Sequence, residues 1–290
     1  AACGVEECDD IKLKTCTACK SVRYCSVKCQ KNHRPQHKRK CKKRAAELRD
    51  ELLFTQPESS HHGDCPICMI PLPIDLSKSI MMSCCSKVVC GGCDYANMMR
   101  ELQDKLEQKC PFCRKPAPSD KEIEENVMKR IEANDPVAMR ERGIECYNKG
   151  DYSSAFEYFS KAAKLGDIEA HYQLSGCYAL GQRTEKDEKK RVFHLEEAAI
   201  GGHPIARYNL GCHEGRNGRT ERAIKHLVIA AGQGQDDAMD ELKWQYAQGR
   251  ISKENFAASL RAHQAAVDAT KSPQREAGEE FFENQRRCDK

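Results

Sequence analysis

Ala162-Ala163-Lys164-Leu165-Gly166-Asp167-Ile168-Glu169-Ala170 returns twice further along the chain, as Ala198-Ala199-Ile200-Gly201-Gly202-His203-Pro204-Ile205-Ala206 and Ala230-Ala231-Gly232-Gln233-Gly234-Gln235-Asp236-Asp237-Ala238. The alanine pairs are separated by 36 and then 32 residues, and each stretch is followed after four residues by a leucine, Leu174, Leu210 or Leu242. A period of this length with helical spacing means stacked helix pairs. Paired alanines near the end of one helix let backbones approach closely. The glycine that follows (Gly166, Gly202, Gly234) terminates that helix, and Asp167, Pro204 or Asp236 begins the next. Gly150, Gly181 and Gly249 mark the turn inside a pair. A single pair leaves an apolar face open, so only a stacked neighbour can bury it. The reading is a short α-solenoid over residues 138–268.

These repeats resemble Sel-like repeats, relatives of the tetratricopeptide repeat. The first unit, from Lys149-Gly150-Asp151-Tyr152 through Tyr158-Phe159 to Ala162-Ala163, is close to the tetratricopeptide pattern itself. The resemblance implies protein–protein scaffolding with no chemistry of its own. Cys146, Cys177 and Cys212 of this region read as small core residues on helices.

Working outward, a helix is expected after Pro118: Ser119 and Glu122 form a capping box, Ile123, Val127 and Ile131 share a face, and Asn134-Asp135-Pro136 ends it. Further upstream the chemistry changes. Fifteen of the 19 cysteines lie before residue 114, mostly as Cys-x-x-Cys pairs. A secreted disulfide framework is the competing explanation. Against it stand the odd cysteine total, the long cysteine-poor helical half and the absence of a visible n-region/h-region signal. Paired cysteines in a reducing compartment are thiolates for zinc. The expected setting is intracellular, cytoplasmic or nuclear, and no apolar run approaches the length of a membrane span.

Residues 3–41 offer eight donors: Cys3, Cys8, Cys16, Cys19, Cys25, Cys29, His37 and Cys41. Cys16-x-x-Cys19 can form a tight knuckle. Cys25/Cys29 and His37/Cys41 are each one helical turn apart, which puts both donors of a pair on one helix face. Eight donors make two closed sites, the structural pattern, because no position is left for water. The order resembles the MYND-type finger, most specifically in Tyr24-Cys25-Ser26-Val27-Lys28-Cys29-Gln30 followed by His37-Lys38 and Cys41. The resemblance implies one zinc on Cys3, Cys8, Cys25 and Cys29 and another on Cys16, Cys19, His37 and Cys41. His33 is the rival to His37. Two departures stand out: four residues separate the first cysteine pair where the family has two, and Arg34 stands where it usually has tryptophan.

The second module, residues 65–113, reads Cys65-x-x-Cys68, Cys84-Cys85, Cys90-x-x-Cys93, Cys110-x-x-Cys113. It resembles an all-cysteine RING finger, with the adjacent Cys84 and Cys85 supplying the donor that RING fingers usually take from histidine. The cross-braced scheme implies zinc on Cys65, Cys68, Cys90 and Cys93, and a second zinc on Cys84, Cys85, Cys110 and Cys113. With His37, the 15 cysteines make donors for four zinc ions per chain, and His61 and His62, in a polar linker, are left without a metal. A central helix is expected from Asp94 to Gln108, with Ala96, Met99, Leu102 and Leu106 on its apolar side.

The predicted fold class is therefore mostly α: two small cross-braced zinc-finger modules followed by the α-solenoid, with a short helix at Ala45–Leu53 and a linker at Gln56–Ser60 between the modules, and a disordered tail over 271–290. The RING resemblance implies ubiquitin ligation without a catalytic nucleophile: a charged conjugating enzyme would be held by Ile67, Pro111 and Arg114, and the solenoid or MYND-type finger would hold substrate. The alternative is a non-catalytic scaffold. Residues 1–50 carry 14 Lys/Arg against 6 Asp/Glu, and the run Lys38-Arg39-Lys40-Cys41-Lys42-Lys43-Arg44 could touch nucleic acid, but no aromatic stacking pattern accompanies it, so a solvated basic helix face is the expected reading. Protein partners are expected. A pocket enzyme is not, because no phosphate-cradling glycine loop and no nucleophile motif is present.

Overall fold

The computed structural model describes residues 13–288. The chain divides into two compact units, residues 1–55 and 56–290.

In the first unit, β1 (Lys14–Thr15) and β2 (Arg23–Tyr24) pair antiparallel, with the Cys16–Cys19 knuckle between them. Ser26 then caps α1 (Val27–Leu53), its hydroxyl accepting from the Cys29 amide at 3.2 Å. The short helix expected at Ala45 is the C-terminal part of this one long helix. Its Lys-, Arg-, Ala- and Glu-rich sequence favours helix throughout, and Pro35 removes a hydrogen bond without ending it. The basic run lies mid-helix, mostly in solvent, and Arg44 pairs with Glu47 at 3.2 Å and Glu51 at 2.9 Å.

The second unit opens with the other cysteine module. β3 (Ser79–Met82) and β4 (Lys87–Cys90) form a hairpin in the register Ser79↔Cys90 to Met82↔Lys87, so its turn presents Cys84 and Cys85. Cys90 ends β4 and caps α2 (Gly91–Gln103). This helix begins and ends earlier than the sequence predicts, and its buried face differs. Leu102 and Leu106 are exposed; Gly91, Gly92, Cys93 and Glu101 are buried instead. Apolar spacing was a poor guide because one buried face is given over to close backbone approach and another to a buried carboxylate.

α3 (Asp120–Glu132) starts at the predicted Ser119/Glu122 capping box. Helix pairs follow: α4 (Pro136–Asn148) with α5 (Tyr152–Lys164), α6 (Ile168–Leu180) with α7 (Glu188–Ile200), α8 (Pro204–Arg216) with α9 (Thr220–Gly232), and α10 (Asp236–Ala247) with α11 (Lys253–Ala269). The solenoid reading holds residue by residue. The six paired alanines, Ala170, Ala206 and Ala238, and Leu174, Leu210 and Leu242 are all buried. Gly166, Gly202 and Gly234 take φ of 91°, 88° and 89°, a left-handed conformation that other residues adopt at a cost. Gly143 has a different role, since a Cβ there would meet the Phe159 ring at 2.6 Å. Cys177 lies in the core of the first pairs and Cys146 packs against it, while Cys212 is half-buried.

The tail expected to be disordered is instead helical, α12 (Pro273–Cys288), and it packs on α2. The Tyr95 and Phe281 rings meet in a tilted contact at 5.0 Å, and Lys78 pairs with Glu279 at 2.9 Å. Its average polarity hid a narrow face of Gly278, Phe281 and Phe282 whose partner lies far away in sequence. Among the described residues, no helix is long and apolar enough to cross a membrane.

Candidate metal centres

Three sets of four donors converge among the described residues: Cys16, Cys19, His37 and Cys41; Cys65, Cys68, Cys90 and Cys93; Cys84, Cys85, Cys110 and Cys113. Within each set the donor atoms lie within 4.8 Å of one another. These are the groupings that the sequence resemblances implied. Of the remaining predicted set, Cys3 and Cys8 lie outside the described residues, while Cys25 and Cys29 flank the start of α1.

The separations fit zinc. A tetrahedral ion with Zn–S near 2.3 Å places its sulfurs about 3.8 Å apart. Sγ–Sγ distances are 3.8 Å for Cys16–Cys41 and for Cys68–Cys90, 3.4 Å for Cys84–Cys113 and 3.9 Å for Cys85–Cys110. A disulfide would need about 2.05 Å, and these cysteines are free. His37 points Nε2 at Cys19 Sγ, 3.2 Å away. The rival His33 turns Nδ1 to the Tyr24 hydroxyl at 3.2 Å and stacks on His37, so it supports the ring rather than joining the set.

Local backbone makes the knuckles. The residue after three of the four Cys-x-x-Cys pairs is left-handed: Lys20 at φ 54°, Met69 at 57° and Arg114 at 62°; the fourth, Cys90-x-x-Cys93, leads into α2. Each of the three left-handed residues returns its amide to the first cysteine's carbonyl, at 2.9, 2.9 and 3.0 Å. Asp64↔Pro71 and Lys109↔Pro116 bridges bracket the two knuckles of the second module. In that module the pairs interleave, first with third and second with fourth, which is a cross-brace. Its thiols crowd one another. Burial pushes Cys84 and Cys85 up and Cys93 up to about 12, while Cys90 is raised first by its hydrogen bond to Cys65. Four thiols this close ionise together only around a cation, so the donor set suits a divalent ion.

Second-module sulfurs also receive donors from α12. Arg275 Nη2 donates to Cys68 Sγ at 3.5 Å and to the Ile70 carbonyl at 2.9 Å, and Gln274 Nε2 donates to Cys93 Sγ at 3.5 Å. On the opposite side Arg130 of α3 donates to the Cys85 carbonyl at 2.9 Å. Such contacts fix ligand orientation and spread the charge of a thiolate cluster.

Of the three residues predicted to touch a conjugating enzyme, Ile67 is 40% exposed and Pro111 half-buried. Arg114 is engaged: it donates to Asn97 Oδ1 at 2.8 Å and pairs with the buried Glu101 at 3.3 Å.

Comparison with family models agrees with this geometry. Residues 1–41 match the MYND finger, and 136–167, 168–203 and 204–235 each match the Sel1 repeat. The chain carries a MYND finger and Sel1 repeats. The matched Sel1 repeats are the pairs α4–α5, α6–α7 and α8–α9. Among curated proteins, chitin synthase regulator SKT5 of Saccharomyces cerevisiae is 42% identical over 65 residues, covering 22% of this chain and 9% of its own length. The DAP3-binding cell death enhancer 1 of Mus musculus is 25% identical over 174 residues, covering 46% of this chain and 34% of its own. The chain thus spans about a third or less of the length of these curated relatives. Among solved structures, a Sel1 repeat protein from Oxalobacter formigenes aligns with TM-score 0.44 at 22% identity, over 61% of this chain and 74% of that one. A protective antigen of uropathogenic Escherichia coli with an SLR fold aligns with TM-score 0.40 at 19% identity, over 64% and 40%.

MYND finger, cysteine sets and repeats together support a zinc-binding protein-interaction adaptor. Sequence reasoning missed two parts of it. The tail supplies donors to the second module, and His61 and His62 are not in a loose linker. Both histidines fold onto the second Sel1 repeat, where His61 Nε2 lies 3.2 Å from Glu169 Oε2.

Proposed function

We propose that the second cysteine module is a RING-type finger, and that the adaptor uses it to bring a ubiquitin-conjugating enzyme to proteins held by the Sel1 repeats or the MYND finger. The observation that carries this reading is the cross-brace of Cys65, Cys68, Cys90 and Cys93 with Cys84, Cys85, Cys110 and Cys113. Both of its loops keep apolar side chains in solvent: Met69 is 70% exposed beside Ile67 in the first, and Phe112 is 41% exposed beside Pro111 in the last. The two faces of α2 support it as well. Gly91, Gly92 and Tyr95 meet α12, whereas Asn97 and Glu101 meet the last knuckle. The docked tail therefore occupies the side of α2 away from that knuckle.

A second reading, a scaffold without ligation, is favoured by Arg114. Its guanidinium is committed to Asn97 and Glu101, so it acts as a brace between α2 and the last knuckle. An arginine that bridges enzyme and ubiquitin must leave such partners. The names of the relatives, a regulator and a binding protein, sit equally well with this reading.

The deciding experiment is ubiquitin discharge from a panel of charged conjugating enzymes. Ligation predicts acceleration that Ile67→Ala and Arg114→Ala abolish at unchanged zinc content. A zinc-loaded chain that accelerates none of them leaves the scaffold.

A further inference from the structure

His61, His62 and Glu169 bring one donor each to within 4.8 Å of one another. The histidines belong to the segment before the second cysteine module, and Glu169 to the first turn of α6 in the second Sel1 repeat. The segment is fastened to the solenoid: the His61 amide donates to the Gly202 carbonyl at 3.2 Å, and a Cβ on Gly202 would meet the Ser59 carbonyl at 2.9 Å. The side chains of His61, Glu169 and His203 are 3%, 7% and 2% exposed. His203 Nε2 approaches the same Glu169 oxygen at 3.0 Å and stacks on His61 at 4.2 Å, while Gln173 donates to the other carboxylate oxygen at 2.7 Å. The carboxylate is thereby held in one orientation.

A hydrogen-bonded His–Glu–His relay accounts for part of this, but not for two features. His61 Nδ1 is buried with no hydrogen-bond partner. The His62 ring sits 3.7 Å from the His61 ring and adds a third donor that the relay does not use. Burial of an unpaired ring nitrogen is costly unless something binds it. The local charge leaves room for a cation. Arg140, whose positive charge acts on both histidines, is already paired with Asp167 at 3.0 Å and Glu141 at 2.8 Å. Burial lowers the affinity of His61 and His62 for protons, His62 to about 3, and the two facing imidazoles hold Glu169 well below the carboxylate range against its burial. The set is then two neutral imidazoles and one carboxylate, a donor set that suits borderline divalent ions.

We propose that His61, His62 and Glu169 form a further divalent-cation site, with zinc the first candidate, which pins the segment ahead of the second cysteine module to the second Sel1 repeat. Three protein ligands leave a coordination position for water, and no thiolate takes part, so this ion is held less tightly than those of the cysteine sets. It is the first to leave in a weak chelator.

The test is a zinc count by native mass spectrometry on the full chain, before and after a weak chelator, for wild type, His62→Ala and Glu169→Gln. His62 makes no part of the Glu169 relay, so its removal spares those hydrogen bonds; circular dichroism checks that both variants keep their helices. The expected result is one ion fewer in either folded variant, the same ion that wild type loses first to the chelator. Cobalt gives an independent readout. The extra equivalent contributes weak d–d absorption without added sulfur-to-cobalt charge transfer, and His62→Ala abolishes it. An equal ion count in wild type and a folded variant overturns the proposal.

Discussion

Gly92 and Gly278 are in backbone contact: a Cβ built on Gly278 would stand 2.9 Å from the Gly92 Cα, and one built on Gly92 would stand 2.7 Å from the Arg275 Cα. No side chain fits between α2 and α12 at this crossing, and the approach lets Arg275 and Gln274 reach the sulfurs of the second module. Gly92→Ala is therefore expected to push α12 away and cost about 1–3 kcal/mol, the usual range for overpacking. Hydrogen exchange over residues 273–288 would rise sharply, while exchange in α4–α9 would not.

Arg275→Ala leaves the helix contact intact and removes the guanidinium beside Cys68. Loss of a group that supports a metal ligand typically weakens metal binding about 10–100-fold. Competition with a chromogenic chelator should show faster zinc release from Arg275→Ala, with Arg275→Lys in between. Equal release rates would reduce Arg275 to a purely packing role.

His37→Ala should lower the zinc content by one ion and loosen the first unit, because a structural site contributes roughly 10–16 kcal/mol to a small module. His33→Ala should keep the full count, since that ring bonds Tyr24 instead. Elemental analysis of the two variants separates these outcomes.

Arg114→Ala strips the nearer countercharge from the buried Glu101, which is left with Arg100 at 3.9 Å and the Lys109 amide at 3.1 Å. Arg114 is itself half exposed, so the expected loss is about 1–2 kcal/mol rather than the several that a fully buried pair would give. Chemical denaturation of Arg114→Ala and of Arg114→Ala/Glu101→Gln checks this, the double variant recovering much of the loss. The same pair of variants shows whether a loss of ubiquitin discharge arises from the fold or from the missing cation.

His171 and His194 face each other at 3.0 Å between α6 and α7. Burial, together with His171, pulls His194 down to about 4. Below about pH 6.5 the unfolded chain takes up a proton that the folded chain refuses, so stability falls as pH drops toward 4. The ring is partly exposed, which holds the effect at pH 5 to about 1 kcal/mol, or a few degrees in Tm. His194→Gln should lose correspondingly less Tm than wild type between about pH 7.5 and 5. Comparing the variant with wild type cancels any acid loss of zinc, which both share.

The repeats were legible because their information is local. Alanine pairs, a left-handed glycine and a leucine at fixed offsets specify each helix pair and its neighbour, and the alanines and leucines singled out in this way are buried in the solenoid. Gly218, at φ 73°, completes the series of turn glycines: Gly150, Gly181, Gly218 and Gly249 follow one another at intervals of 31, 37 and 31 residues. Cysteine sets were legible for a related reason. Cys-x-x-Cys knuckles carry their geometry within four residues, and the family order supplied the pairing.

Three features depended on contacts between distant segments. Read alone, residues 271–290 are polar, and only the glycine-lined face of α2 gives α12 something to pack on. The two buried faces of α2 carry glycines and Glu101 where the apolar spacing pointed to leucines, because a backbone approach fills one side and a carboxylate the other, not side-chain volume. His61 and His62 read as linker until the chain folds back and sets Glu169, more than a hundred residues away, against them. The sequence by itself determined the repeat architecture and the cysteine knuckles, since helix propensity, turn glycines and knuckle spacing act over a few residues. Tertiary structure alone decided which polar residues meet, because a carboxylate, a guanidinium or an imidazole takes its role from whatever the fold places beside it.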